Sequence, residues 1–221
     1  RTMWAQQEEA LSSQFRVITL DLRGHGESDA PLWSYTLEQS ADDVNALLDQ
    51  LAIQQAVFAG LSMGGYILFA FYRKYAARVK GLILADTRAQ GDTAEGKDGR
   101  FQMAQIAYKK GPSAIADMML LKLLSSTSIQ TRPDLVLKVR AMIEGNEISG
   151  IAGDLMAMAG RPDSVPLLSQ ITCPTQIIVG ELDQATPPSD AILMENHIPN
   201  SRLTLIPQAA HLTNLEQPQV F

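Results

Sequence analysis

The 221-residue sequence contains a single cysteine, so no internal disulfide can form. Cys173 opens an apolar stretch just before Pro174, with no histidine or second cysteine nearby. It reads as a small packed side chain, and cysteine scarcity fits a reducing compartment, hence a cytoplasmic protein. Long apolar runs are lacking: stretches such as Leu82 to Ala85 are far short of the ~20 residues that cross a bilayer. No basic block interrupts a chain of net charge −6, which argues against a nucleic-acid partner. No cluster has the ligand spacing of a zinc or calcium site, so no metal is expected. Neither an internal repeat nor a low-complexity tract is present. Histidine is also scarce: there are three, His25, His197 and His211, which keeps the search for a catalytic base short.

What is present is enough apolar content, 46%, to bury a full core as one domain, or one domain with an insertion. Residues 3–12 read as the end of a helix. Phe15 to Leu20 is rich in β-branched residues and predicts a strand, followed by a loop from Asp21 to Ser34. Thr36 and Gln39 form a capping box for a helix whose apolar stripe is Leu37, Val44, Leu47, Leu48 and Leu51. Strands are predicted at 56–60 and 79–85, the second a nearly continuous apolar run of the kind both faces of a parallel sheet require. Residues 91–168 break this alternation with four helix-like stretches and hold six of the nine methionines. They predict a helical insertion. The methionines suit helix-on-helix packing better than an acyl pocket. A strand at 175–180, a helix near 189–196 and a strand at 202–206 restore the rhythm.

Gly60-x-Ser62-x-Gly64 lies directly after an apolar strand and before a helix. A serine at such a turn is lifted clear of the sheet, and side chains at Gly60 and Gly64 would collide with the neighbouring strand and helix. A serine hydroxyl needs a base. His211, in the loop past the last strand, shares the C-terminal strand edge with Ser62. His25, in a glycine-rich loop, reads as a loop-stabilising residue, and His197 as a solvated helix end. The orienting carboxylate has two candidates that follow strands, Asp183 and Asp86. The 28 residues from Asp183 to His211 accommodate one helix, one strand and two loops, which favours Asp183. Gly24 to Asp29 follows a strand as a dinucleotide fingerprint would, but Asp29 replaces the third glycine and Pro31 blocks a helix there.

These residues resemble the α/β-hydrolase superfamily over essentially the whole chain. The resemblance is carried by Asp21-Leu22-Arg23-Gly24-His25-Gly26-Glu27-Ser28, by the turn at Ser62, and by Gly180-x-x-Asp183 followed by His211. The order Ser62, Asp183, His211 is that of the superfamily. Within it the chain is similar to small esterases and lactonases such as 3-oxoadipate enol-lactonase. The resemblance implies an α/β fold, a mostly parallel sheet flanked by helices. Residues 1–90 and 169–221 would be the core and 91–168 a helical cap. It implies a serine hydrolase for a small carboxylic ester, lactone or thioester, with no cofactor. Ser62 would be nucleophile, His211 base, Asp183 orienting acid, and the Met63 backbone N–H half of an oxyanion hole. C–C hydrolysis, haloperoxidase chemistry or a non-catalytic receptor are alternatives on the same core. The resemblance further implies that three strands precede Arg1, among them a central strand between 15–20 and 56–60, and that the second oxyanion donor lies on the missing part. The chain also begins at Arg1 without an initiator Met, and Gln217 to Phe221 reads as the start of another helix, so both ends read as cut.

Overall fold

The computed structural model describes residues 1–32 and 35–221; Trp33 and Ser34, at the end of the expected loop, lie outside it. A short 3-10 turn (Thr2–Trp4) leads into α1 (Ala5–Leu11). The next regular element is α2 (Leu37–Gln50), opened by the expected capping box: the Gln39 N–H donates to Thr36 Oγ1 and the Thr36 N–H to Gln39 Oε1. Then follow β1 (Ala56–Leu61), α3 (Met63–Tyr75) and β2 (Val79–Ala85). The helical segment comprises α4 (Ala94–Leu123), α5 (Ser126–Thr131), α6 (Pro133–Glu144), α7 (Ile148–Gly160) and α8 (Val165–Leu168). α4 breaks at Gly111, where φ is +77°, immediately before Pro112. The chain closes with β3 (Thr175–Gly180), α9 (Pro188–His197), β4 (Ser201–Ile206) and α10 (Thr213–Glu216).

The four strands form one parallel sheet in the order β1-β2-β3-β4. Side chains alternate between its faces, as the two-residue period of a strand requires. Leu82, Leu84, Ile177 and Val179 join the larger core with α2, α3 and α9, while Ala85, Ile178 and Ile206 join a second cluster. α3 is buried at every residue from Gly65 to Tyr72, because it is packed between the sheet and α2. The second cluster holds Leu120 and Leu124 from the end of α4, Leu135 and Val139 from α6, and also Leu61 and Leu212. Met103, Met156 and Met158 pack in a third cluster between α4 and α7, which is the helix-on-helix role expected of them. Among the described residues no helix is long and apolar enough to cross a membrane.

The expected strand at Phe15–Leu20 is not formed. Among the described residues no strand precedes Ala56, and Phe15 is 63% exposed. β-Branched residues favour extended backbone, but a strand is completed by a hydrogen-bonded neighbour, and this segment has no place in the ladder. The glycine-rich turn that follows is ordered by contact with the helical segment. Gly24 lies against Gly150 of α7 so closely that a Cβ on Gly24 would stand 2.6 Å from Gly150 Cα.

Candidate active site

Parallel strands bring their C-terminal ends to one edge, and that edge collects the candidate residues. Leu61 pairs with Ala85, Ala85 with Ile178, and Gly180 with Ile206. Ser62 is therefore the first residue past β1 and Asp86 the first past β2, while Asp183 and His211 lie a short loop beyond β3 and β4. The sequence reading placed all four on this edge, and the structure gathers them there.

Ser62 occupies a backbone conformation rare for a residue with a side chain, φ +54° and ψ −113°. Its surroundings hold it there. The Ser62 N–H donates to the Ala85 carbonyl (2.9 Å), and the Thr87 hydroxyl and Gly65 N–H both donate to the Ser62 carbonyl (2.7 and 2.9 Å). The glycine requirement differs from the expected one. A Cβ at Gly60 would meet the Gly64 carbonyl at 2.5 Å, as foreseen, but one at Gly64 would meet nothing within 4 Å. The second constrained glycine is Gly65, whose Cβ would collide with Thr87. The turn is tight between β1 and α3 and between α3 and the residues after β2, and Gly64 faces open space between them.

Ser62 Oγ lies 2.8 Å from His211 Nε2, and His211 Nδ1 lies 2.8 Å from Asp183 Oδ2. Both His211 and Asp183 are buried. Burial alone would raise the Asp183 pKa. The hydrogen bond and charge of His211, with the Thr186 donors, outweigh that and hold it below its ordinary value. The carboxylate is well supplied: Oδ1 accepts the N–H groups of Ala185 (2.8 Å) and Thr186 (3.1 Å), and Oδ2 accepts the Thr186 hydroxyl (2.8 Å). A carboxylate with these fixed donors can hold an imidazole with Nδ1–H toward it and Nε2 open as an acceptor for the serine proton. Met63 is the first residue of α3, so its N–H is one of the helix's unpaired leading donors. An N–H there, next to Ser62, is suited to a developing oxyanion.

Asp86 is turned to other partners. Its Oδ1 accepts the Gly180 N–H (2.9 Å), and its Oδ2 accepts the Thr213 hydroxyl and N–H. Fully buried, it is pushed up to about 7, chiefly by desolvation. His25 fills the loop role expected of it, with Nδ1 3.3 Å from the Arg23 carbonyl and 3.4 Å from Asp154 Oδ2 on α7. Burial raises Asp154 to about 6, although the nearby His25 and Arg23 charges oppose it. His197 is an exposed helix end bonded to the Leu193 carbonyl (2.8 Å). Cys173 is half-buried against the main core, and burial raises its pKa. Among the described residues no group of three or more His, Cys, Asp or Glu could hold a metal ion.

Four polar residues of this edge escaped the sequence reading: Thr87, Thr186, Thr213 and Glu216. Thr186 had a legible signal, since an aspartate in a tight turn can accept the N–H groups two and three residues on, here those of Ala185 and Thr186. Thr87, Thr213 and Glu216 act across long sequence separations and left none.

Comparison with known proteins identifies the family. Residues 1–218 match the family described as alpha/beta hydrolase fold. 3-Oxoadipate enol-lactonase 2 of Acinetobacter baylyi is 33% identical over 220 residues, covering 100% of this chain and 80% of that protein. A thermophilic esterase from Thermogutta terrifontis, solved with malate bound, superposes with a TM-score of 0.97 at 42% identity, over 100% of this chain and 81% of that one. The enol-lactonase of Burkholderia xenovorans LB400 superposes with a TM-score of 0.92 at 33% identity, over 100% and 83% of the two chains.

Proposed function

The chain belongs to the α/β-hydrolase family and is a hydrolase, and we propose that it cleaves a small carboxylic ester or lactone through a Ser62–His211–Asp183 triad and an acyl-enzyme. The observation that carries this reading is the unbroken pair of 2.8 Å hydrogen bonds from Ser62 through His211 to Asp183. In the first half-reaction His211 Nε2 takes the Ser62 proton as Oγ bonds to the carbonyl carbon. The tetrahedral oxyanion is met by the Met63 N–H. As the C–O bond to the leaving group breaks, the imidazolium returns that proton to the leaving oxygen. Water then repeats the sequence on the acyl-enzyme, releasing the acid and restoring the serine. Asp183 stays ionised throughout and stabilises the imidazolium.

The enol-lactonase and esterase relatives support a small carboxylic substrate; a thioester would react by the same steps. Residues 91–168 act as a cap over this edge, with 1–90 and 169–221 as the core. The support is that α4 and α6 share an apolar cluster with Leu61 and Leu212, the sequence neighbours of Ser62 and His211. The lone cysteine suits a reducing compartment, and we assign the enzyme to the cytoplasm; cell fractionation tests that.

A fluorophosphonate probe tests the central claim. It should add one phosphonyl group to the purified protein, on Ser62, and p-nitrophenyl acetate should be turned over with a burst. Labelling that survives Ser62→Ala overturns the nucleophile. Labelling without turnover on any ester or lactone would favour a ligand-binding protein with a reactive serine.

A further inference from the structure

The strand order gives His211 a long way to travel. It follows β4 at one side of the sheet, whereas Ser62 follows β1, three strands away. The loop after β4 must run back across the ends of β3 and β2, and two buried carboxylates that bond to neither residue hold it there. Asp86 takes Thr213, on the far side of the imidazole. Glu216, 4% exposed, takes the near side: its Oε2 accepts the Ala210 N–H at 2.6 Å. Its other oxygen, Oε1, accepts both the N–H (2.9 Å) and the hydroxyl (2.6 Å) of Ser125. Ser125 is the N-cap of α5, its Oγ accepting the Ser128 N–H at 3.2 Å. Further bonds run the same way. Leu212 N–H donates to the Leu123 carbonyl (3.2 Å), and Arg132, just past α5, donates to the Glu216 carbonyl (2.9 Å). The residues on both sides of His211 are thus tied to segment 123–132.

We propose that Glu216 is a positioning residue for the hydrolysis: it fixes the backbone beside His211 and, through Ser125, makes the placing of the imidazole depend on the seating of α5. This rests on the triad reading above. The chemistry requires a carboxylate, because three donors converge on its two oxygens. A glutamine offers one acceptor oxygen and one NH2, so either Ala210 N–H or Ser125 N–H faces another donor and the loop must shift. An aspartate keeps the charge but falls short by one methylene, on the order of 1.5 Å. Displacement of a catalytic group by about 1 Å can cost on the order of 10²-fold in rate.

A glutamate that merely stabilised the fold would change the melting temperature and the number of competent molecules, not turnover per competent molecule. The test therefore compares wild type with Glu216→Gln, Glu216→Asp and Ser125→Ala, with sites counted by fluorophosphonate titration. It measures kcat and KM on p-nitrophenyl acetate and the low-field proton resonance of the His211 ring N–H. Glu216→Gln should lower kcat per titrated site by roughly 10- to 100-fold with KM within about threefold, and should shift or broaden the resonance. Glu216→Asp should recover part of the loss, and Ser125→Ala should lose a smaller factor in the same direction. Unchanged kcat per site with an unchanged resonance in Glu216→Gln overturns the proposal, whatever the melting temperature does. Should Glu216→Gln not fold, Ser125→Ala decides on the same two readings. A wild-type protein that neither reacts with the probe nor turns over the ester instead refutes the triad reading, and the resonance alone then decides whether Glu216 holds His211.

Discussion

Thr186 Oγ1 stands 2.8 Å from Asp183 Oδ2 and 3.4 Å from His211 Nδ1, so one hydroxyl borders both partners of the His211–Asp183 bond. Its single proton goes to the carboxylate at the shorter distance. The imidazole must then supply its own Nδ1–H to the same oxygen, which leaves Nε2 as the acceptor toward Ser62. The carboxylate thereby selects the tautomer, and Thr186, donating to it, leaves that selection undisturbed.

That selection predicts unequal roles for the two buried aspartates on this edge. Asp183→Asn should lower kcat on the order of 10⁴-fold, because an amide facing Nδ1 favours the wrong tautomer. Asp86→Asn should cost less than about 10²-fold, since its amide can still serve Gly180 N–H and Thr213 Oγ1. Steady-state kinetics on p-nitrophenyl acetate checks both. Equal losses would show that Asp86 belongs to the proton-transfer chain.

Asp86 should also leave a mark on stability. Burial lifts it from an ordinary 3.8 to about 7, so between those values the folded protein holds a proton that the unfolded chain has released. Its contribution to stability therefore falls as pH rises through that window, by on the order of 1.4 kcal/mol per unit at most. Asparagine does not titrate and resembles the protonated acid. Urea unfolding should find Asp86→Asn gaining on wild type by a few kcal/mol from pH 4 to pH 8. A constant difference across that range would refute the displaced titration.

The glycines of the serine turn should separate cleanly. Gly60→Ala and Gly65→Ala should each destabilise by ~1–3 kcal/mol, from collision with the Gly64 carbonyl and with Thr87 respectively. Gly64→Ala meets open space on a helix and should be neutral or gain up to ~1 kcal/mol. Thermal unfolding of the three variants decides the matter, and a Gly64→Ala as damaged as Gly60→Ala would contradict it.

The proposed cap helices should govern selectivity more than chemistry. Val136 and Met142 of α6 are only partly buried and pack in the cluster that includes Leu61 and Leu212. Val136→Ala and Met142→Ala should redistribute kcat/KM among p-nitrophenyl esters of different acyl length. A uniform fall across all lengths would mean that α6 supports the fold without shaping the substrate site.

The elements most legible in the sequence were those buried on both sides. β2 and β3 run Val79–Ala85 and Thr175–Gly180, as their continuous apolar runs suggested, and α2 starts at the Thr36–Gln39 box. Local composition was enough because most residues in those strands are buried. That Ser62, His211 and Asp183 lie together was legible because each follows a strand of one parallel sheet, whose ends share an edge. The misreadings share a cause. Phe15–Leu20 has the composition of a strand, but pairing depends on a neighbour that composition does not specify. Gly64 looked constrained because a one-dimensional motif does not say which glycine meets Thr87. Glu216 and Thr213 were invisible because their partners, Ser125 and Asp86, are 91 and 127 residues away.

The parallel ladder from β1 to β4 is also a ruler. Slipping β1 by one residue against β2 would carry Ser62 about 3.3 Å along the strand and turn its side chain to the opposite face. A 2.8 Å contact has no slack for that. On the triad reading, turnover per molecule counts the chains whose strands have locked in the correct alignment. After refolding, recovered catalysis is a stricter census of native molecules than recovered helix signal, because a misaligned sheet can keep its helices while its serine and histidine no longer meet.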